Sequence, residues 1–202
     1  MILHAPSRRA FVLGLGATTG LAACQSAPPK PAFAALTYGH KGALRLMVAS
    51  VEVVTEYVPP MRRPNIEHQM PVSPVETMQR WPRDRLQAMG AGEHFARFTV
   101  REASVKETEL PRTQGVRGVV TKDQTERYDL VLAASVEIRQ QRANFVEASA
   151  EARVTRFRTV AEGISLAERE RAWYELLEQS MNELDAELER QIRAHLARFI
   201  SF

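Results

Sequence analysis

Cysteine is nearly missing: Cys24 is the only one in 202 residues. A single thiol excludes an intrachain disulfide, a dithiol redox pair and a Cys-ligated metal centre, so the fold must hold by packing alone. Lysine is also scarce, with Lys30, Lys41, Lys106 and Lys122 the whole set, while arginine is common. No apolar run reaches the about 20 residues that a membrane-spanning helix needs. His40, His68, His94 and His195 show no i, i+4 pair, which gives a metal site no spacing to rest on. There is no G-x-S-x-G nucleophile elbow. Gly14, Gly16 and Gly20 imitate a dinucleotide turn, but no strand precedes them. Gly39-His40-Lys41-Gly42 is too short for a phosphate loop. The sequence therefore nominates no catalytic residue, no metal ligand and no cofactor.

What the chain does have begins at Ser7. Arg8 and Arg9 precede an uncharged run from Ala10 to Ala23, with Phe11 near its start and Leu21-Ala22-Ala23-Cys24 at its end. A positive n-region, a short apolar h-region and a small-residue end are the parts of an export signal. Removing residues 1–23 leaves 25 basic and 24 acidic side chains, a net of +1. A surface so nearly balanced argues against a nucleic-acid binder.

Leu21-Ala22-Ala23-Cys24 resembles the lipobox of bacterial lipoproteins. The resemblance implies cleavage before Cys24, acylation of its sulfur with palmitate-type chains, and a membrane partner reached through that anchor. Two acyl chains hold stably where one binds only marginally. Ser7-Arg8-Arg9-Ala10-Phe11 is similar to the twin-arginine export motif, although Val12 and Leu13 stand where a lysine often follows. General-secretion signals carry paired arginines as well, and both routes stay open. Gln25 after the cysteine, in place of the aspartate that favours inner-membrane retention in well-studied bacteria, implies the outer membrane by the same resemblance.

Residues 25–35, QSAPPKPAFAA, have the proline and small-residue content of an extended tether, about 3.1 Å per residue in polyproline conformation. Residues 24–40 are expected to form this lipidated tether, and 41–202 a single periplasmic domain. Leu44 to Tyr57 predicts a first strand. Its apolar phase switches from Leu44, Leu46 and Val48 to Val51 and Val53, which requires an irregularity near Ala49 and Ser50. Residues 58–72 carry four prolines and read as a long loop. Met61, Arg62, Arg63, Ile66 and Met70 make it either a partner-contact segment or a loose connection.

Ser73-Pro74-Val75-Glu76 is a helix start, and the helix is expected to run to about Met89 with a kink or restart at Pro82. His94 to Lys106 predicts a strand whose phase switches between Val100 and Ala103. Residues 107–126 read as a polar loop or protruding hairpin. Residues 127–139 alternate cleanly, with Tyr128, Leu130, Leu132, Ala134, Val136 and Ile138 in one phase. A partner strand follows at about 144–160, with Ala148, Ala150 and Ala152 on a single face. From the capping box at Ser165 and Glu168, a helix is expected to reach about Ile200, some 50 Å. That exceeds a typical strand of about 20 Å, so an overhanging apolar stripe is expected as a dimer or partner surface, unless loops cover it. The acidic residues between its leucines, Asp185 among them, read as a solvated face.

This order predicts an α+β fold: an antiparallel sheet of about four strands, with a shorter helix and a long C-terminal helix packed on one face. On a lipidated tether it resembles the lipopolysaccharide-assembly lipoproteins and the auxiliary lipoproteins of ABC-type envelope transport. That resemblance implies a non-catalytic accessory or scaffold with an envelope protein partner. The alternatives are a lipid or small-ligand binder with a pocket between sheet and helices, and an envelope hydrolase assembled from dispersed residues.

Overall fold

The computed structural model describes residues 33–90, 92–111 and 124–201, which lie within one unit, Pro31–Phe202. The elements are β1 (Leu44–Leu46), β2 (Val51–Thr55), α1 (Pro74–Arg85), β3 (Leu86–Ala88), β4 (His94–Glu109), β5 (Gln124–Gln140), β6 (Val146–Ala161) and α2 (Leu166–His195). The main sheet has the order β2-β4-β5-β6, and β1 and β3 form a separate parallel pair. β4, β5 and β6 are antiparallel neighbours. β2 departs from the all-antiparallel expectation: it runs parallel to β4, with Val51 opposite Ala96 and Thr55 opposite Val100.

The alternation in β5 is what sets the layers. Tyr128, Leu130, Leu132, Ala134, Val136 and Ile138 are all buried, because a period of two sends them to the same face. In β4 the pairing register shifts between Val100 and Glu102. The bulge lets Phe98 and Val100 before it, and Ala103 and Val105 after it, all face the core. The phase switch near Ala49 and Ser50 has a larger consequence than a bulge. There the expected single strand divides, as Ala49 donates its backbone N–H to the His94 carbonyl and the chain passes from the β1–β3 pair into the main sheet.

Both helices pack on one face. Trp81 of α1 stacks on Phe98 at 5.4 Å, and Trp173 of α2 meets Tyr128 edge-on at 5.5 Å. α1 starts where expected, with the Ser73 hydroxyl accepting from the Glu76 N–H. It continues through Pro82 but ends at Arg85 rather than Met89, because Leu86 to Ala88 pair with Leu44 to Leu46 instead. α2 opens on a complete capping box at Ser165 and Glu168. It ends at His195, after which a 3-10 turn, Ala197–Phe199, leads to a bridge between Ile200 and Leu46.

Among the described residues no apolar overhang forms. α2 has 30 residues, about 45 Å of helix, whereas β5 has 17, about 55 Å of strand. The strands run into the region expected to be loop at either end of 107–126, and they are long enough to cover the helix. Core packing also reaches N-terminal of residue 41, since Leu36 and Tyr38 are buried and Phe33 lies against Tyr174 at 5.1 Å.

Candidate functional surfaces

The anchor residues read from the sequence, Cys24 with Arg8, Arg9, Phe11, Leu21, Ala22 and Ala23, lie outside the described residues. Among the described residues the structure adds two buried carboxylates, one anchored loop and one sheet face with no layer packed on it.

Asp185 is the first carboxylate. It was expected on the solvated side of α2, yet it is only 1% exposed. Its position follows from helical spacing: it lies four residues after Met181, beside the Leu184 and Leu188 stripe. One of its oxygens accepts from Trp81 Nε1 at 2.8 Å and Arg85 Nε at 2.7 Å, and the other from Lys41 Nζ at 2.8 Å. Arg85 also donates to the carbonyls of Lys41 and Gly42 and pairs with Glu189. Burial raises the Asp185 pKa, but the hydrogen bonds from Lys41 and Trp81 and the charge of Arg85 outweigh it. The carboxyl is thereby held below its ordinary value. With both oxygens engaged and the charge matched, this group is a clamp between α1 and α2 rather than a general base.

Glu67 is the second, 3% exposed within the proline-rich 58–72 segment. It accepts from the Tyr57 hydroxyl at 2.6 Å, from Asn65 Nδ2 at 3.3 Å and from the Val105 N–H at 3.3 Å. Burial first, and then the Glu67 hydrogen bond, push the Tyr57 phenol well above its ordinary pKa. A bridge between Asn65 and Lys106, a hydrogen bond from the Glu107 N–H to the Pro64 carbonyl and an ion pair between Arg63 and Glu107 at 3.2 Å complete the attachment to β4. The loop is therefore not a loose connection. Its base is pinned, and its tip presents Val58 at 79% and Met61 at 64% exposure beside Arg62 and Arg63.

This arrangement predicts a local effect. Tyr57→Phe should cost about 1 to 3 kcal/mol, the penalty for removing one partner of a charged hydrogen bond. Amide exchange at Ile66 and Glu107, whose N–H groups tie the loop to β4, should accelerate while exchange in β5 stays unchanged. Equal acceleration everywhere would contradict the pinning role.

The face of the sheet away from the helices is a ladder of cross-strand charges. Arg97 meets Glu52 at 3.1 Å, Arg101 meets Glu56 at 3.1 Å and Glu137 at 3.2 Å, and Arg153 meets Glu102 at 2.7 Å. Between the layers, the space is filled by buried side chains such as Trp81, Phe98, Leu132, Trp173, Leu177 and Leu184. The ligand pocket held as an alternative would have occupied that volume. The depressions bordered by Phe33 and Arg80, and by Arg101 and Arg153, are open to solvent. Among the described residues no helix is long and apolar enough to cross a membrane.

No protein-family model matches the chain, and no curated protein matches it. Solved structures do. A minor lipoprotein from Acinetobacter baumannii matches at 13% identity over 78% of this chain and 98% of that chain, with a TM-score of 0.38. Rare lipoprotein B from Shewanella oneidensis matches at 10% identity over 72% and 95%, with a TM-score of 0.36. Protein XCC0632 from Xanthomonas campestris, of family DUF330, matches at 12% identity over 76% and 89%, with a TM-score of 0.37. These scores, all below 0.5, do not assign the chain to a family.

Proposed function

We propose that this protein is a bacterial envelope lipoprotein, acylated at Cys24, whose folded domain is a non-catalytic accessory acting by protein contact in the periplasm. The observation that carries the reading is the coincidence of Leu21-Ala22-Ala23 with the chain's only cysteine, at the foot of a run opened by Arg8 and Arg9. Eight residues separate Cys24 from Phe33, where the described chain begins, a span that suits a short tether. Gln25 favours the outer membrane. The two buried carboxylates are saturated by structural partners, so neither is free to act as a general base. The contact surface is the pinned loop tip, Val58 to Arg63, where apolar and basic side chains stand exposed on a fixed base.

Cells fed a labelled palmitate should yield this protein labelled and in the membrane fraction, and Cys24→Ser should lose both label and membrane retention. A Cys24→Ser chain that still carries lipid would end the anchor assignment. Crosslinking in native membranes should recover a stoichiometric envelope partner, and Val58→Asp with Met61→Asp should reduce that recovery several-fold. Recovery of the lipoprotein alone, where other complexes survive, would remove the accessory role.

A further inference from the structure

Among the described residues the main sheet ends on β6, a strand of 16 residues that is paired on one side only, with β5. Every second residue of such an edge directs its N–H and C=O away from the sheet, which makes it a template for another strand. Proteins usually blunt such edges with charged side chains, lysine above all, with proline, with bulges or by keeping the strand very short; the charges of β6 include both signs, Glu147 and Glu151 with Arg153, Arg156 and Arg158. β6 contains neither proline nor lysine. Its central stretch, Ala148 to Val154, carries only small side chains apart from one acid, Glu151, and one base, Arg153.

We propose that this edge pairs with the same edge of a second copy, antiparallel, about a two-fold axis through Ala152. The charges choose the register. Glu151 and Arg153 both lie on the uncovered face, opposite Ser135 and Ala133 of β5. Arg153 holds Glu102 at 2.7 Å, while Glu151 has no ion pair among the described residues. With Ala152 on the axis, Glu151 of each copy stands opposite Arg153 of the other, a cross-strand distance of about 5 Å at Cβ. Two acid–base contacts form, and the vacant carboxylate is matched. Centring the pairing on Glu151 or on Arg153 sets like charges face to face, which is unfavourable. Centring on Ala150 would match Arg153 with Glu147, but Glu147 already holds His94 and Arg198.

The small side chains serve the same contact. In this register Ala152 faces its own copy and Ala150 faces Val154, so nothing bulky obstructs the join beneath α2. A two-fold axis normal to the sheet also keeps α1 and α2 of both copies on one side. Phe33, against Tyr174 of α2, then emerges on that side in both copies, so two chains can be tethered to a single bilayer. The strand pairing itself does not depend on the anchor.

The test is the mass of the mature full chain in detergent, measured by sedimentation across a concentration series, with charge-swapped variants. Both residues are exposed, and unchanged thermal unfolding of each variant would verify folding. The wild type should dimerise, Glu151→Arg and Arg153→Glu should each weaken the dimer about tenfold or more, and the double swap should restore it. Oxidation of Ala152→Cys should link two copies through residue 152, while Thr159→Cys, away from the axis, should not link. A wild type that stays monomeric, including one whose β6 takes a strand from a different protein, overturns the proposal. So does a dimer indifferent to both single swaps.

Discussion

Arg85→Met is expected to lower the stability of the folded domain by about 3 to 5 kcal/mol, the cost of breaking a buried ion pair by removing one partner. The mechanism is specific. Without the guanidinium, Asp185 keeps only Lys41 and Trp81 as donors, Glu189 loses its link to α1, and the carbonyls of Lys41 and Gly42 lose their shared donor. Urea unfolding of wild type and variant gives the difference directly. A loss under about 1 kcal/mol would match a surface pair instead and would refute the clamp.

The same clamp has a signed dependence on pH. The Asp185 carboxyl is held below its ordinary value in the folded protein, so it binds its proton less readily there than in the unfolded chain. Its contribution is fully present above the unfolded carboxylate pKa of about 3.9. It is lost as pH falls through the lower, folded value. Asp185→Asn should therefore be less stable than wild type at neutral pH, with the gap narrowing in that acid window. A constant gap across the window would mean that the carboxylate charge contributes nothing.

Trp81→Ala is expected to cost about 3 to 5 kcal/mol, as large-to-small changes at fully buried aromatic positions do. Two losses combine here: the stack on Phe98 at 5.4 Å and the indole hydrogen bond to Asp185 at 2.8 Å. Trp81→Phe separates them in part, because it retains an aromatic ring against Phe98 while losing the N–H and the volume of the second ring. It should fall between wild type and Trp81→Ala. Combined with Asp185→Asn, the effects of Trp81→Phe should be less than additive, since the first weakens and the second removes the same contact. Strict additivity would show that the indole acts through packing alone.

Local features of this fold were legible wherever a residue's fate depends on near neighbours. The six apolar residues of β5 gave away their face by alternation, and Ser73 and Ser165 marked the helix starts because a capping hydroxyl needs only the N–H three residues on. The phase switches in β1–β2 and β4 were visible as well. Which strand each segment joins was not, because pairing connects residues far apart in the chain. The division at Ala49, the parallel seating of β2 and the diversion of Leu86 to Ala88 into β3 all fall in that class. Asp185 was misread for a related reason: a charge among leucines looks solvated until its partners, 100 residues earlier on α1, are in place. The anchor is the reverse case, written in Arg8, Arg9 and Leu21 to Cys24 and lying outside the described residues.

The parallel seating of β2 imposes an order of events. β4, β5 and β6 are sequential antiparallel neighbours and can zip together as successive hairpins, which are short-range and fast. β2 can join only beside β4, and the Trp81 and Arg85 side chains of α1 find their carboxylate only on α2. The α1 clamp, in the part of the domain that leaves the ribosome early, is thus among the last contacts to complete. Until the final helix has been synthesised, Trp81 and Arg85 of α1 lack the carboxylate they converge on.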